Sequence, residues 1–124
     1  MNVKLLRKVA KHILEEPRRF MMRTWRVKGA PGEPLYDHKR KHKFPSCGTV
    51  ACIGGWCALL SGKDVFGTNL HKLVGITVAQ GDRLFYRSSW PKQFKSKFKE
   101  DGSLTSARIG AKRIEHFIKT KGKE

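Results

Sequence analysis

The chain has 124 residues and sets 27 Lys+Arg against 10 Asp+Glu, a formal net charge of +17. That length suits one domain, able to bury a modest core without disulfide or metal support. Three Trp and seven Phe exclude a wholly disordered chain, and acids this few and scattered argue against a paired-carboxylate enzyme.

In chain order, Asn2 is placed to cap a first helix running to about Glu16. At 100° per residue, Val3, Leu6, Ala10, Ile13 and Leu14 share one face of it, and Lys4, Arg7, Lys8 and Lys11 gather opposite. Pro17 interrupts the helix. Phe20, Met21, Met22 and Trp25 follow as an apolar cluster interleaved with Arg18, Arg19, Arg23 and Arg26. Residues 27–46 read as a long loop, punctuated by Gly and Pro, whose densest charge lies at Lys39, Arg40, Lys41 and Lys43.

Phe44 to Gly62 contains no charged residue. Its four Gly, two Ser, Thr49 and Pro45 make it too weakly apolar for a membrane span, so it is expected to be buried in protein. Within it, Thr49 to about Leu60 is expected as a central helix, apolar nearly all round and stopped at Gly62. A short helix over Asn69–Val74 ends at Gly75, and Thr77 with Gln80 forms a capping box for the next, to which Val78, Leu84 and Phe85 give the apolar side. Trp90, Phe94 and Phe98 repeat every four residues behind Pro91, with Lys92, Lys95 and Lys99 on another side. Ser103 or Thr105 opens the last helix; Ala107, Ala111, Ile114 and Ile118 line one face, with Phe117 beside them, and Arg108, Lys112 and Lys119 another. The expectation is an all-α, single-domain bundle of about five helices around residues 49–60.

The positive charge sits at the two ends. Residues 1–28 carry +7 and residues 91–124 carry +6, against +2 for 29–46 and +2 for 47–90. Such an imbalance exceeds what solubility needs and points to a polyanionic partner. If the first and last helices bury their apolar stripes in one core, their cations face outward together. The candidate nucleic-acid-binding set is therefore Lys4, Arg7, Lys8, Lys11, Arg18, Arg19, Lys39, Arg40, Lys41, Lys43, Lys92, Lys95, Lys99, Arg108, Lys112 and Lys119. Neutralising about six phosphates of a duplex gives a salt slope near −5.

Other chemistries are weaker. Leu70 to Leu84 has the outline of a helix-turn-helix in which Gln80 and Arg83 would meet bases. Gly81 and His71 fall where that motif wants an aliphatic and a small residue, which favours two ordinary core helices. Trp25, Tyr86 and Trp90 are candidates for stacking on bases, though their helical spacing suits a core. Cys47, at a helix entrance with His38 and His42 nearby in sequence, is a conceivable thiol nucleophile lacking an orienting partner. Zinc on His38, His42, Cys47, Cys52 and Cys57 is disfavoured: Cys52 and Cys57 stand about 140° apart on a helix. No phosphate-loop or dinucleotide motif occurs. No cofactor, metal or catalytic residue is assigned. The odd cysteine count and the absence of a secretory pattern fit a reducing cytoplasm.

The run Cys47-Gly48-Thr49-Val50-Ala51-Cys52-Ile53-Gly54-Gly55-Trp56 resembles a family of small bacterial and phage proteins with a CGT-x-ACI-x-G core. Leu73-Val74-Gly75-Ile76-Thr77, Gln80, Leu84-Phe85, Trp90-Pro91-x-x-Phe94 and Arg113-Ile114 extend the likeness over about residues 47–118. The resemblance brings no activity with it. This chain departs from the pattern at Cys57, where a small residue such as Ala is expected, and in its heavy Lys/Arg load. The reading at this level is a non-catalytic protein binding DNA or RNA through phosphates, free or within a ribonucleoprotein. The alternatives are a module for an acidic protein partner, such as a phage-encoded modulator of a host enzyme, and a Cys-dependent enzyme.

Overall fold

A computed structural model describes residues 1–23, 50–64 and 67–124, and within them the chain is all-α. Six helices follow one another: α1 (Val3–Glu15), α2 (Ile53–Leu60), α3 (Leu70–Val74), α4 (Val78–Phe85), α5 (Lys92–Lys95) and α6 (Leu104–Lys119). One-turn 3-10 segments at Pro17–Arg19 and Arg87–Ser89 follow α1 and α4. No helix among the described residues is long and apolar enough to cross a membrane.

Side chains start most of these helices by satisfying N–H groups that have no partner in the first turn. Asn2 Oδ1 accepts from the Leu5 amide at 3.0 Å, Asn69 Oδ1 from Lys72 at 3.3 Å and Ser103 Oγ from Ser106 at 3.1 Å. Thr77 and Gln80 close the expected capping box reciprocally, at 3.2 and 2.9 Å. Gly75, at φ 73°, ends α3 in the left-handed conformation that an L side chain adopts only with strain.

The central helix is shorter than its apolar run predicts. Residues 50 and 51 are extended, because Ala51 pairs with Phe20 in a parallel bridge. The Ala51 amide donates to the Arg19 carbonyl at 3.0 Å, and the Met21 amide to the Ala51 carbonyl at 3.2 Å. With that backbone committed to a neighbouring segment, the helix starts only after Cys52, whose Sγ accepts from the Gly55 amide at 3.4 Å. Thr49, the expected start, lies outside the described residues, as does the whole of the basic loop.

α2 is nevertheless the hub. Every residue from Ile53 to Leu59 is buried, and the helix packs against α1, α3 and α4. Trp56 is fully enclosed, its Nε1 donating to the Arg19 carbonyl at 2.9 Å. Leu6, Val9 and Ile13 of α1, Leu84 of α4 and Ile114 and Phe117 of α6 complete the core with Phe20 and Phe98. Each such side chain contributes about 1.5–3 kcal/mol on leaving water.

Two apolar expectations turn out differently. The buried stripe of α1 is Leu5, Leu6, Val9, Ala10 and Ile13, whereas Leu14 is 39% exposed. Val78 is 58% exposed, because α4 turns Gly81, Leu84 and Phe85 inward instead. Close approach explains two glycines. A Cβ on Gly110 would stand 2.4 Å from the Phe20 ring, and one on Gly81 would stand 3.2 Å from His71 Nδ1. The small residue that lets α3 and α4 cross is thus Gly81 on the second helix, facing His71 on the first.

Candidate nucleic-acid interface

α1 and α6 make the most extensive helix–helix contact among the described residues and run antiparallel. Val3 shares a groove with Ile118, Arg7 pairs with Glu115, and Ile13 lies against Gly110. Both amphipathic stripes therefore face the shared core, α1 against α2 and α6 against α1, α4 and α5, and the opposite stripes face water side by side. Lys4, Arg7, Lys8 and Lys11 are exposed on α1, and Arg108, Lys112 and Lys119 on α6. Seven of the predicted cations are brought onto adjoining surfaces by this one packing event.

Neutralisation within the molecule is partial. Arg7 Nε lies 3.6 Å from Glu115 Oε1, and Lys11 Nζ lies 3.8 Å from Glu15 Oε1. All four side chains are more than half exposed, so water and salt screen these pairs. Lys8 Nζ donates to the Leu60 carbonyl at 3.5 Å, at the end of α2. Lys4, Arg108, Lys112 and Lys119 have no carboxylate within 4.0 Å among the described residues. Between the two rows runs an open trough of about 470 Å³, lined by Arg7, Ala10, Lys11, Leu14, Ala111, Lys112 and Glu115. Its rim is charged and its floor is methyl groups.

The remaining predicted cations divide. α5 packs on α6, with Phe94 5.2 Å from His116, on a flank of α6 away from Ala111. Lys92, Lys95 and Lys99 are exposed there, although Lys95 Nζ is engaged by the Ser88 carbonyl at 3.1 Å. Arg18 is exposed beside Gly102, ahead of α6. Arg19 is mostly covered, its side chain 22% exposed and its Nε 3.7 Å from Glu16. Lys39, Arg40, Lys41 and Lys43 lie outside the described residues.

The residues suggested as base readers are engaged internally. Gln80 Oε1 accepts from Thr77, and its Nε2 donates to the Lys121 carbonyl at 3.4 Å. Arg83 donates to the Gly122 carbonyl at 3.1 Å. Trp90 is buried, with Nε1 donating to the Leu84 carbonyl at 2.9 Å; Tyr86 is exposed, and Trp25 lies outside the described residues. Two consecutive core helices account for α3 and α4.

The sequence reading missed two features. Glu115 sits in the middle of the cationic stripe; it was legible, since it stands three residues after Lys112 and four before Lys119. Arg113 is fully buried between Phe94 and Phe117, its guanidinium carbon 5.8 and 5.7 Å from the two rings. It donates to the Arg83 carbonyl at 2.9 Å, while its Nε and second terminal nitrogen lack a hydrogen bond. Loss of hydration pushes its pKa down to about 10, with Glu124 opposing, so it stays charged at neutral pH.

Thiol and metal chemistry gain no geometry. Burial pushes the Cys52 thiol up to about 11 and raises the Cys57 thiol further, keeping both protonated. Among the described residues no group of three His, Cys, Asp or Glu side chains is arranged to hold a metal ion. Cys47, His38 and His42 lie outside them. In comparisons with protein-family models, curated proteins and solved structures, nothing matches this chain.

Proposed function

We propose that this chain is a non-catalytic nucleic-acid-binding protein that holds phosphate backbones on the outer face of α1 and α6. The observation that carries the reading is the alignment of Lys4, Arg7, Lys8 and Lys11 with Arg108, Lys112 and Lys119 on two packed antiparallel helices. Only two screened carboxylates, Glu15 and Glu115, pair with them among the described residues. Gathering like charges on one face costs self-repulsion, which a polyanion relieves by releasing its counterions. Arg18 and the α5 lysines extend the positive surface, and the Lys39–Lys43 run adds charge within the same chain. The setting we infer is the cytoplasm, with the protein acting alone or inside a nucleoprotein or ribonucleoprotein assembly.

The test is a titration against DNA and RNA at several salt concentrations. Contact with about six phosphates makes log K fall with log salt at a slope near −5, largely regardless of sequence. A slope near zero, or capture of an acidic protein with no measurable affinity for either nucleic acid, overturns the reading in favour of a protein-interaction module.

A further inference from the structure

Resting on that reading, we propose that the α1–α6 face takes double-stranded rather than single-stranded nucleic acid, with one sugar–phosphate ridge lying along the trough between the helices. The dimensions agree. Packed helix axes lie about 8–10 Å apart, so the two cation rows stand close enough for one backbone to meet both. α1, with 13 residues, extends about 20 Å, long enough to follow several successive phosphates of one strand. Arg7 and Lys11 stand on one bank and Lys112 on the other, so anionic oxygens on both sides of a ridge meet a cation.

The floor decides between strand types. Ala10, Leu14 and Ala111 present methyl groups, which can lie against deoxyribose or ribose but offer an unpaired base no π face. The aromatic side chains of the described fold that could stack on bases are mostly committed to the core: Trp56, Trp90, Phe20, Phe98 and Phe117 are buried. Gln80 and Arg83, the side chains nearest to a base-reading role, are tied to the C-terminal segment, Gln80 through Nε2 and Arg83 through one terminal nitrogen. A single strand docked on α1 and α6 would leave its bases unstacked in water. A duplex keeps its bases paired and stacked and presents only the ridge. Recognition of this kind reads charge and shape, not sequence.

The experiment measures fluorescence anisotropy of the full chain with a duplex of about 20 base pairs and with each separated strand, as DNA and as RNA, at matched salt. The duplex is expected to bind at least about tenfold more tightly than either strand. Equal or tighter binding of a single strand overturns this proposal while leaving phosphate binding intact. Failure of every nucleic acid to bind overturns the parent reading as well. Leu14→Trp provides a second readout at a half-exposed position where the fold is retained, checked by circular dichroism. An indole in the trough supplies the missing platform and obstructs the ridge, so single-strand affinity rises about fivefold or more and duplex affinity falls. If L14W leaves both affinities unchanged, the trough is not the seat and the proposal fails.

Discussion

The outer face of α1 and α6 and the seam joining α4, α5 and the C-terminal segment are both rich in cations, yet they use them in opposite ways. On the outer face the charges are mostly lysines that reach water. In the seam they are arginines bonded to carbonyl oxygens: Arg83 to Gly122, Arg87 to Phe98 at 2.8 Å, and Arg113 to Arg83. The planar guanidinium, with its fork of donors and weak hydration, tolerates burial on carbonyls and aromatic rings. The lysine ammonium is strongly hydrated and stays outside. Net charge therefore overstates what a partner meets, because part of it is structural mortar.

The comparison breaks most visibly under charge reversal. Replacing Lys4, Lys8, Lys112 and Lys119 together by Glu should weaken nucleic-acid binding on the order of 1,000-fold at physiological salt. Far-UV circular dichroism should stay unchanged, because these side chains lie outside the core. Loss of helicity in that variant would mean the face also holds the fold.

Arg113→Ala should do the reverse. Removing a side chain packed against Phe94 and Phe117 leaves a cavity and is expected to cost about 3 kcal/mol of stability by urea unfolding. Affinity of the remaining folded protein should stay within about twofold of the parent, since a fully buried group adds little to a screened surface field. A binding loss comparable to that of the lysine variant would merge the two regions into one.

Gly110→Ala sharpens the structural half of the contrast. The added methyl would press into the Phe20 ring, and overpacking of this kind costs about 1–3 kcal/mol. A neutral change in melting temperature would show that α6 and Phe20 are less tightly apposed.

Glu115→Gln carries the smaller and opposite sign. It frees Arg7 and removes the acid within the trough, so duplex affinity should rise about two- to fivefold with a flat stability within about 0.5 kcal/mol. Weaker binding on this substitution would mean that the Arg7–Glu115 pair itself shapes the site.

The mildest expected effect is on pH. His12 packs against Trp56 with the rings tilted at 57° and their centroids 4.2 Å apart, and its Nε2 is buried without a hydrogen bond. Burial lowers its pKa below the ordinary 6.5, with Arg19 acting in the same sense and Glu16 and Glu15 opposing. The unfolded chain thus takes up the proton first, and stability falls as pH drops through about 6.5 toward the lower folded value. Comparing urea midpoints at pH 7 and pH 5 should show that loss, and His12→Gln should flatten it. A His12→Gln variant with the full pH slope would place its origin elsewhere.

Much of the fold was legible because it depends on short-range chemistry. Asn2, Asn69, Thr77 and Ser103 cap where their side chains can reach the next amides, and Gly75 stops α3 because its backbone turns left-handed. The hub was legible because a 19-residue stretch without charge has nowhere else to go. The outward stripes of α1 and α6 followed from a period of 3.6 residues. The start of α2 was not, because Ala51 is held by Phe20 and its neighbours some thirty positions away in sequence. Nor was the trimming of the apolar faces at Leu14 and Val78, which depends on which neighbour each helix meets.

By itself the amino-acid order determined an all-helical chain with a greasy centre and two cationic ends, since periodicity, capping and hydration act residue by residue. Only tertiary packing decided which cations face solvent. It set α1 antiparallel to α6, so that two rows flank one trough, and it sank Arg113 between aromatic rings. The first outcome turns on contacts about a hundred residues apart and the second on contacts reaching back to Phe94 and Arg83, and such contacts have no local signature for a pattern to reveal.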